Sequence, residues 1–141
     1  METQDHKKLH LILIEDNDFD AYLIGEAARQ LSYELNIRRF STAPAAMLQL
    51  EDAVEHNPDG VLLDLNLPGG SGLDVLRKIR SSERCQGLKV VVMTSSMSTK
   101  DREAAERIGI EGYLVKASDY DVFVSTLGQA LNSLGGLTGR S

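Results

Sequence analysis

The sequence predicts an α/β fold built on one parallel sheet. Three observations carry that prediction. Short apolar runs alternate with stretches of helical periodicity, the runs are apolar almost throughout, and most of them end in polar residues. Strands apolar on both faces belong in a sheet that is covered on both sides. Such strands are joined by right-handed helical crossovers.

The elements follow in order. Residues 1–8 are expected as a disordered lead, and the first strand runs from Leu9 to Ile14. Asp18 is placed as the cap of the first helix, with Ile24, Ala27, Ala28 and Leu31 at i, i+3, i+4 and i+7. Leu35–Phe40 is a weaker strand carrying Arg38 and Arg39, which suits a sheet edge. Thr42 and Pro44 open a helix with Ala43, Met47, Leu50 and Val54 on one face. The turn residues Asn57-Pro58-Asp59-Gly60 stop it, and Val61–Leu63 is the third strand.

Pro68-Gly69-Gly70-Ser71-Gly72 reads as a flexible loop before a third helix marked by Val75, Leu76 and Ile79. Lys89–Met93 is the fourth strand. Ser98 with Asp101 resembles a capping box for a fourth helix ending near Gly109. Gly112–Val115 is the fifth strand, and Asp119 caps a last helix with Phe123, Leu127, Ala130, Leu131 and Leu134 inward. Gly135-Gly136 ends that helix, and residues 135–141 are expected as a flexible tail.

Bulk properties narrow the function classes. A chain of 141 residues suits one domain, here 9–134, and 42% hydrophobic with 26% charged residues argues against disorder. A net charge of −6 without a basic block argues against nucleic acid. No apolar stretch reaches the roughly 20 residues of a membrane span, and the N-terminus lacks the apolar core of a signal peptide. Cys85 has no partner for a disulfide, which fits a cytoplasmic location, and the three histidines show no zinc spacing.

The strand ends carry the chemistry. The first strand delivers Glu15 and Asp16, the third Asp64, the fourth Thr94 with Ser95 and Ser96 behind it, and the fifth Lys116. A flavodoxin-like order, 2-1-3-4-5, with five helices gathers all of them in one crevice. Clustered carboxylates repel unless a cation or proton intervenes. The cluster is therefore a candidate hard-metal site with one carboxylate left as a nucleophile. A hydroxyl from Thr94 and a point charge from Lys116 suit a phosphoryl group, whose transfer depends on positioning and charge neutralisation.

The set Glu15-Asp16, Asp64, Thr94 and Lys116 resembles the receiver domain of two-component response regulators. The similarity spans about Leu9 to Leu134. Leu13-Ile14-Glu15-Asp16-Asn17 with Asp20-Ala21-Tyr22-Leu23 is similar to stand-alone regulators of bacterial phytochrome kinases. The resemblance implies phosphotransfer from a sensor histidine kinase or phosphotransfer protein to Asp64. It implies Mg²⁺, with Mn²⁺ as the alternative, held by Asp16, Asp64 and the Asn66 backbone carbonyl, with Glu15 acting mostly through water. Thr94 and Lys116 would contact the phosphoryl oxygens, and Tyr113 matches the aromatic switch position beside Thr94. Output would pass to an unnamed protein target, or a second copy, through the fourth helix, fifth strand and fifth helix. Such a chain is a phosphoacceptor rather than an enzyme, apart from its own phosphorylation and slow autodephosphorylation.

Other readings are weighed against this one. An Asp after a buried strand is often a turn residue, and a Lys after a strand usually faces solvent. For Asp18, helix capping explains the residue better than ligation. A pseudo-receiver, acting only as an interaction module, normally lacks one of the four motif positions, and all are present. An aspartate-nucleophile phosphohydrolase expects an acid two residues after the nucleophile, where Asn66 stands. One departure concerns Lys116: receivers usually follow this lysine with a cis proline, and Ala117 takes that place, so the bond is either a strained cis peptide or trans with Lys116 approaching differently.

Overall fold

The computed structural model describes residues 7–135. A five-stranded sheet is formed by β1 (Lys7–Ile14), β2 (Tyr33–Phe40), β3 (Gly60–Leu63), β6 (Val90–Thr94) and β7 (Gly112–Val115). Its strand order is β2-β1-β3-β6-β7, with every pairing parallel. Counting these strands alone, the order is 2-1-3-4-5, as expected. The five helices are α1 (Asp18–Gln30), α2 (Ala43–Val54), α3 (Gly72–Ser81), α4 (Thr99–Ile108) and α5 (Tyr120–Gly135).

Successive strand residues face opposite sides of a sheet. Ile12, Ile14, Val61, Leu63, Val90 and Val92 accordingly pack with α2, α3 and Ala105 of α4. Leu11, Leu13, Leu62, Val91 and Met93 pack with α1 and α5. Both sides are therefore apolar, which is why the strands read as unbroken runs. All five inward residues assigned to α5 are buried.

Local chemistry sets the helix ends. Thr42 caps α2 by accepting from the Ala45 N–H, Ser71 caps α3, and Ser98 caps α4 through the Asp101 N–H. The Asp119 carboxylate accepts from the Val122 N–H at the start of α5. The cap of α1 is Asn17, not Asp18: its Oδ1 accepts from the Asp20 N–H at 2.8 Å. Both residues are good caps by type, and the extended backbone at Asn17 decides between them.

Several boundaries also differ from expectation: β2 begins at Tyr33 rather than Leu35, and the strand expected at Lys89–Met93 is Val90–Thr94. β1 begins at Lys7, because Lys7 and Lys8 pair with Tyr33 and Glu34 of β2. The part of the expected lead that precedes it, 1–6, lies outside the described residues. Gly135 is the last residue of α5, so the expected tail begins inside a helix and its remainder, 136–141, lies outside them too. The loop expected at Pro68–Gly72 is instead a tight antiparallel hairpin of β4 (Asn66–Leu67) and β5 (Gly70–Ser71). Pro68 and Gly69 form its turn, and φ of +77° at Gly69 matches the third residue of a type II turn.

Leu127→Ala, at a fully buried position of α5, is expected to cost about 2–5 kcal/mol. Leu48→Ala, on exposed α2 surface, should stay within about 0.5 kcal/mol. Urea unfolding of the two variants checks this, and equal midpoints would contradict the core assignment.

Candidate functional site

The chain leaves β1 for β2 on one side, then returns to place β3 on the other. That reversal opens a crevice beyond the C-terminal ends of β1 and β3. Ile14 and Leu63 are the last paired residues there, so Glu15 and Asp64 emerge side by side. The backbone holds both: the Asp64 N–H donates to the Ile14 carbonyl, and the Glu15 N–H to the Phe40 carbonyl.

Lys116 arrives from the end of β7 and closes the cluster. Its Nζ donates to Glu15 Oε1 at 2.7 Å, Asp20 Oδ2 at 2.8 Å and Asp64 Oδ2 at 2.9 Å. Glu15 and Asp64 are buried, and the Lys116 side chain is only 10% exposed. Burial alone would lower the Lys116 ammonium, but the hydrogen bonds to Asp20, Glu15 and Asp64 overrule it and hold the group above its ordinary range. Burial pushes the Glu15 carboxyl up, with the bond from Lys116 opposing.

The second oxygen of each buried acid is also hydrogen-bonded. Glu15 Oε2 accepts from the Asn17 N–H at 3.1 Å, and Asp64 Oδ1 accepts from the Asn66 N–H at 3.0 Å. Asp16 is exposed on the same rim. Oxygens of Glu15, Asp16 and Asp64 lie within 4.8 Å of one another. Three hard oxygen donors without a sulfur or imidazole fit a divalent ion of the Mg²⁺ or Mn²⁺ kind. Glu15, Asp20 and Asp64 share one ammonium and Asp16 lies beside Glu15 and Asp64, so the charge balance favours such a cation.

Thr94 is fully buried at the end of β6. Its Oγ1 accepts from the Ser96 N–H, and its carbonyl accepts the Lys116 N–H at 2.8 Å. Tyr113 is packed inward, its hydroxyl donating to the Ser96 carbonyl at 3.4 Å. The Arg102 guanidinium of α4 lies 5.5 Å from that ring's centroid. The structure therefore joins Glu15, Asp16, Asp64 and Lys116 in one cluster. Asn66 is tied to it through its amide, Thr94 through the backbone of Lys116, and Tyr113 only through the loop at Ser96.

A family model described as the response regulator receiver domain matches residues 11–127. The chain belongs to the response regulator receiver family. Response regulator Rcp1 of Synechocystis sp. is 33% identical over 111 residues, which cover 76% of this chain and 76% of that protein. The probable methanogenesis regulatory protein FilR2 of Methanothrix harundinacea is 35% identical over 114 residues, covering 79% and 74%. The crystal structure of the Mn²⁺-bound form of Rcp1 superposes with a TM-score of 0.79 at 26% identity, covering 94% of this chain and 97% of that one. The phosphorylated cyanobacterial phytochrome response regulator RcpA gives 0.78 at 28%, covering 96% and 98%. The similarity to phytochrome regulators is thus present in sequence and fold. Receivers are signalling phosphoacceptors of two-component systems, not classical enzymes. Among the described residues, no helix is long and apolar enough to cross a membrane.

Two features of this receiver stand apart from the sequence reading. The Lys116–Ala117 bond is trans, which excludes the cis option, and Lys116 nonetheless reaches three carboxylates. Asp20 was not among the expected site residues. It stands in the first turn of α1, three residues after the cap Asn17.

Gly72 opens α3 directly beneath Asp64. A Cβ there would strike the Asp64 carbonyl oxygen and come within 2.6 Å of the Leu65 Cα. Gly72→Ala is therefore expected to cost about 1–3 kcal/mol in thermal or urea unfolding. Lys116→Met removes the cation paired with two buried acids, and about 3–5 kcal/mol of stability should go with it. Added Mg²⁺ should return part of that loss; a variant as stable as wild type without metal would show that the ion pairs contribute little.

Proposed function

We propose that this chain is a stand-alone response regulator whose Asp64 accepts a phosphoryl group from a sensor histidine kinase or phosphotransfer protein in the cytoplasm. The observation that carries the reading is the buried Asp64 carboxylate, 2.9 Å from the Lys116 ammonium and grouped with Glu15 and Asp16 oxygens. The superposition on the Mn²⁺-bound Rcp1 structure over nearly the whole of both chains supports the reading.

An Asp64 oxygen forms the new bond to phosphorus as the bond from phosphorus to the donor's nitrogen or oxygen breaks, and the electron pair leaves with the donor. Lys116 neutralises charge on the transferred group, and the Thr94 hydroxyl donates to one of its oxygens. Asp16, Asp64 and the Asn66 carbonyl would hold Mg²⁺, or Mn²⁺ as in the Rcp1 structure. Glu15 would act on the ion mostly through water. When bound, the ion supplies electrostatic stabilisation of the phosphoryl oxygens.

Thr94 moving toward the phosphoryl group draws on Ser96 through its N–H, and Ser96 is also the acceptor for the Tyr113 hydroxyl. Phosphorylation thereby shifts the balance between two packings of one fold. The readout is the surface of α4, β7 and α5, where Val115 and Val122 are exposed, with exposed Met97 in the loop before α4. A downstream protein or a second copy of the chain binds there.

Incubation with acetyl phosphate and Mg²⁺, followed by intact mass measurement, should add one phosphoryl group to wild type. Asp64→Asn should take none, and a chelator should stop labelling. Equal labelling of wild type and Asp64→Asn would reject the reading. Absence of both labelling and Mg²⁺ binding would favour a pseudo-receiver acting only as an interaction module.

A further inference from the structure

Resting on the phosphoacceptor reading above, we propose that Asp20 is a positioning residue: it anchors the Lys116 ammonium so that one N–H stays aimed at the phosphoryl group entering on Asp64. An ammonium has three donors, and Lys116 spends them on Glu15, Asp20 and Asp64. Glu15 and Asp64 come from strand ends. Asp20 comes from the first turn of α1, on a separate element.

The ordinary role of an acid at the third position of a helix is to reach back to the N–H of the cap residue. That role is closed to Asp20. The Asn17 N–H already donates to Glu15 Oε2 at 3.1 Å, while Asn17 Oδ1 takes the Asp20 N–H at 2.8 Å. The cap thus fixes the Asp20 backbone and leaves its carboxylate free to face Lys116. Lysine has a flexible four-carbon stem, and Ala117 after it restricts the backbone less than a proline would. The direction of the ammonium therefore depends on what holds its donors.

Asp20 stands outside the Glu15-Asp16-Asp64 group and is the most exposed partner, at 28% against 2% and 5%. It reaches the reaction through Lys116. With acetyl phosphate, the Asp64 oxygen–phosphorus bond forms as the phosphorus–acetate oxygen bond breaks, and acetate leaves with the electron pair. The N–H that held Asp64 Oδ2 passes to a phosphoryl oxygen, while Glu15 and Asp20 keep the other two in place.

The test uses the full chain, acetyl phosphate and Mg²⁺, with labelling rates followed by intact mass. Asp20→Ala should slow labelling about fivefold to tenfold, and Asp20→Glu should restore most of the rate. In a Lys116→Ala background, Asp20→Ala should change the rate by less than about twofold, since it acts through the missing ammonium. A fast Asp20→Ala variant, or one that slows both backgrounds equally, overturns the proposal. A second readout needs no donor: the ¹⁵N-detected ammonium resonance of Lys116 should be protected in wild type and lost in Asp20→Ala with its circular dichroism unchanged. A surviving resonance also overturns it. If wild type takes no phosphoryl group, the phosphoacceptor reading falls by itself, and the resonance alone decides whether Asp20 is the anchor.

Discussion

One ammonium makes this end of the sheet viable. Glu15 and Asp64 are carried below the surface by strands that must be apolar for the sheet to form, so their charges sit where water cannot screen them. Lys116 answers both, and the acid on α1 as well. The arrangement still holds more negative than positive charge. A site balanced by its own lysine would have little need of a divalent ion, whereas this one keeps an excess of hard oxygen donors.

The rest of the fold serves that edge. Alternate strand residues feed two apolar layers, which clamp the sheet between α1 and α5 on one side and α2, α3 and α4 on the other. With the sheet held on both faces, the strand ends become fixed points. The hairpin of β4 and β5 then turns the chain from Asp64 into α3 within a few residues, and Gly72 lets α3 start against the Asp64 backbone. The close approach packs the start of α3 against the Asp64 main chain, while its carboxylate accepts from the Asn66 N–H and the Lys116 ammonium.

Much of this was legible in the residues. Apolar runs marked all five strands of the main sheet, and the polar residues at their ends marked most of the cluster. What escaped has physical reasons. Asn17 and Asp18 are equally good caps, and only backbone conformation chooses between them. Lys7 and Lys8 are too polar to read as strand, yet β2 offers them a complete parallel ladder. The hairpin was hidden by its shortness, although Pro68-Gly69 is strong turn chemistry. Asp20 escaped because a first-turn acid looks like an ordinary helix-end charge. Its partner lies 96 positions away in the chain, and no local pattern encodes such a contact.

That separation bears on how the chain acquires its structure. Lys116 meets Glu15 across 101 positions and Asp64 across 52. Pairing β1 with β3 early brings Glu15 and Asp64 together before any cation is present, and their repulsion weighs against that half-formed sheet. Docking of β7, the last strand of the sheet in chain order, brings the ammonium that relieves it. Contacts of such high sequence separation are slow to form. Because the acids penalise every partial assembly that lacks β7, the ion pairs of the site also bind the two ends of the chain into one cooperative folding unit.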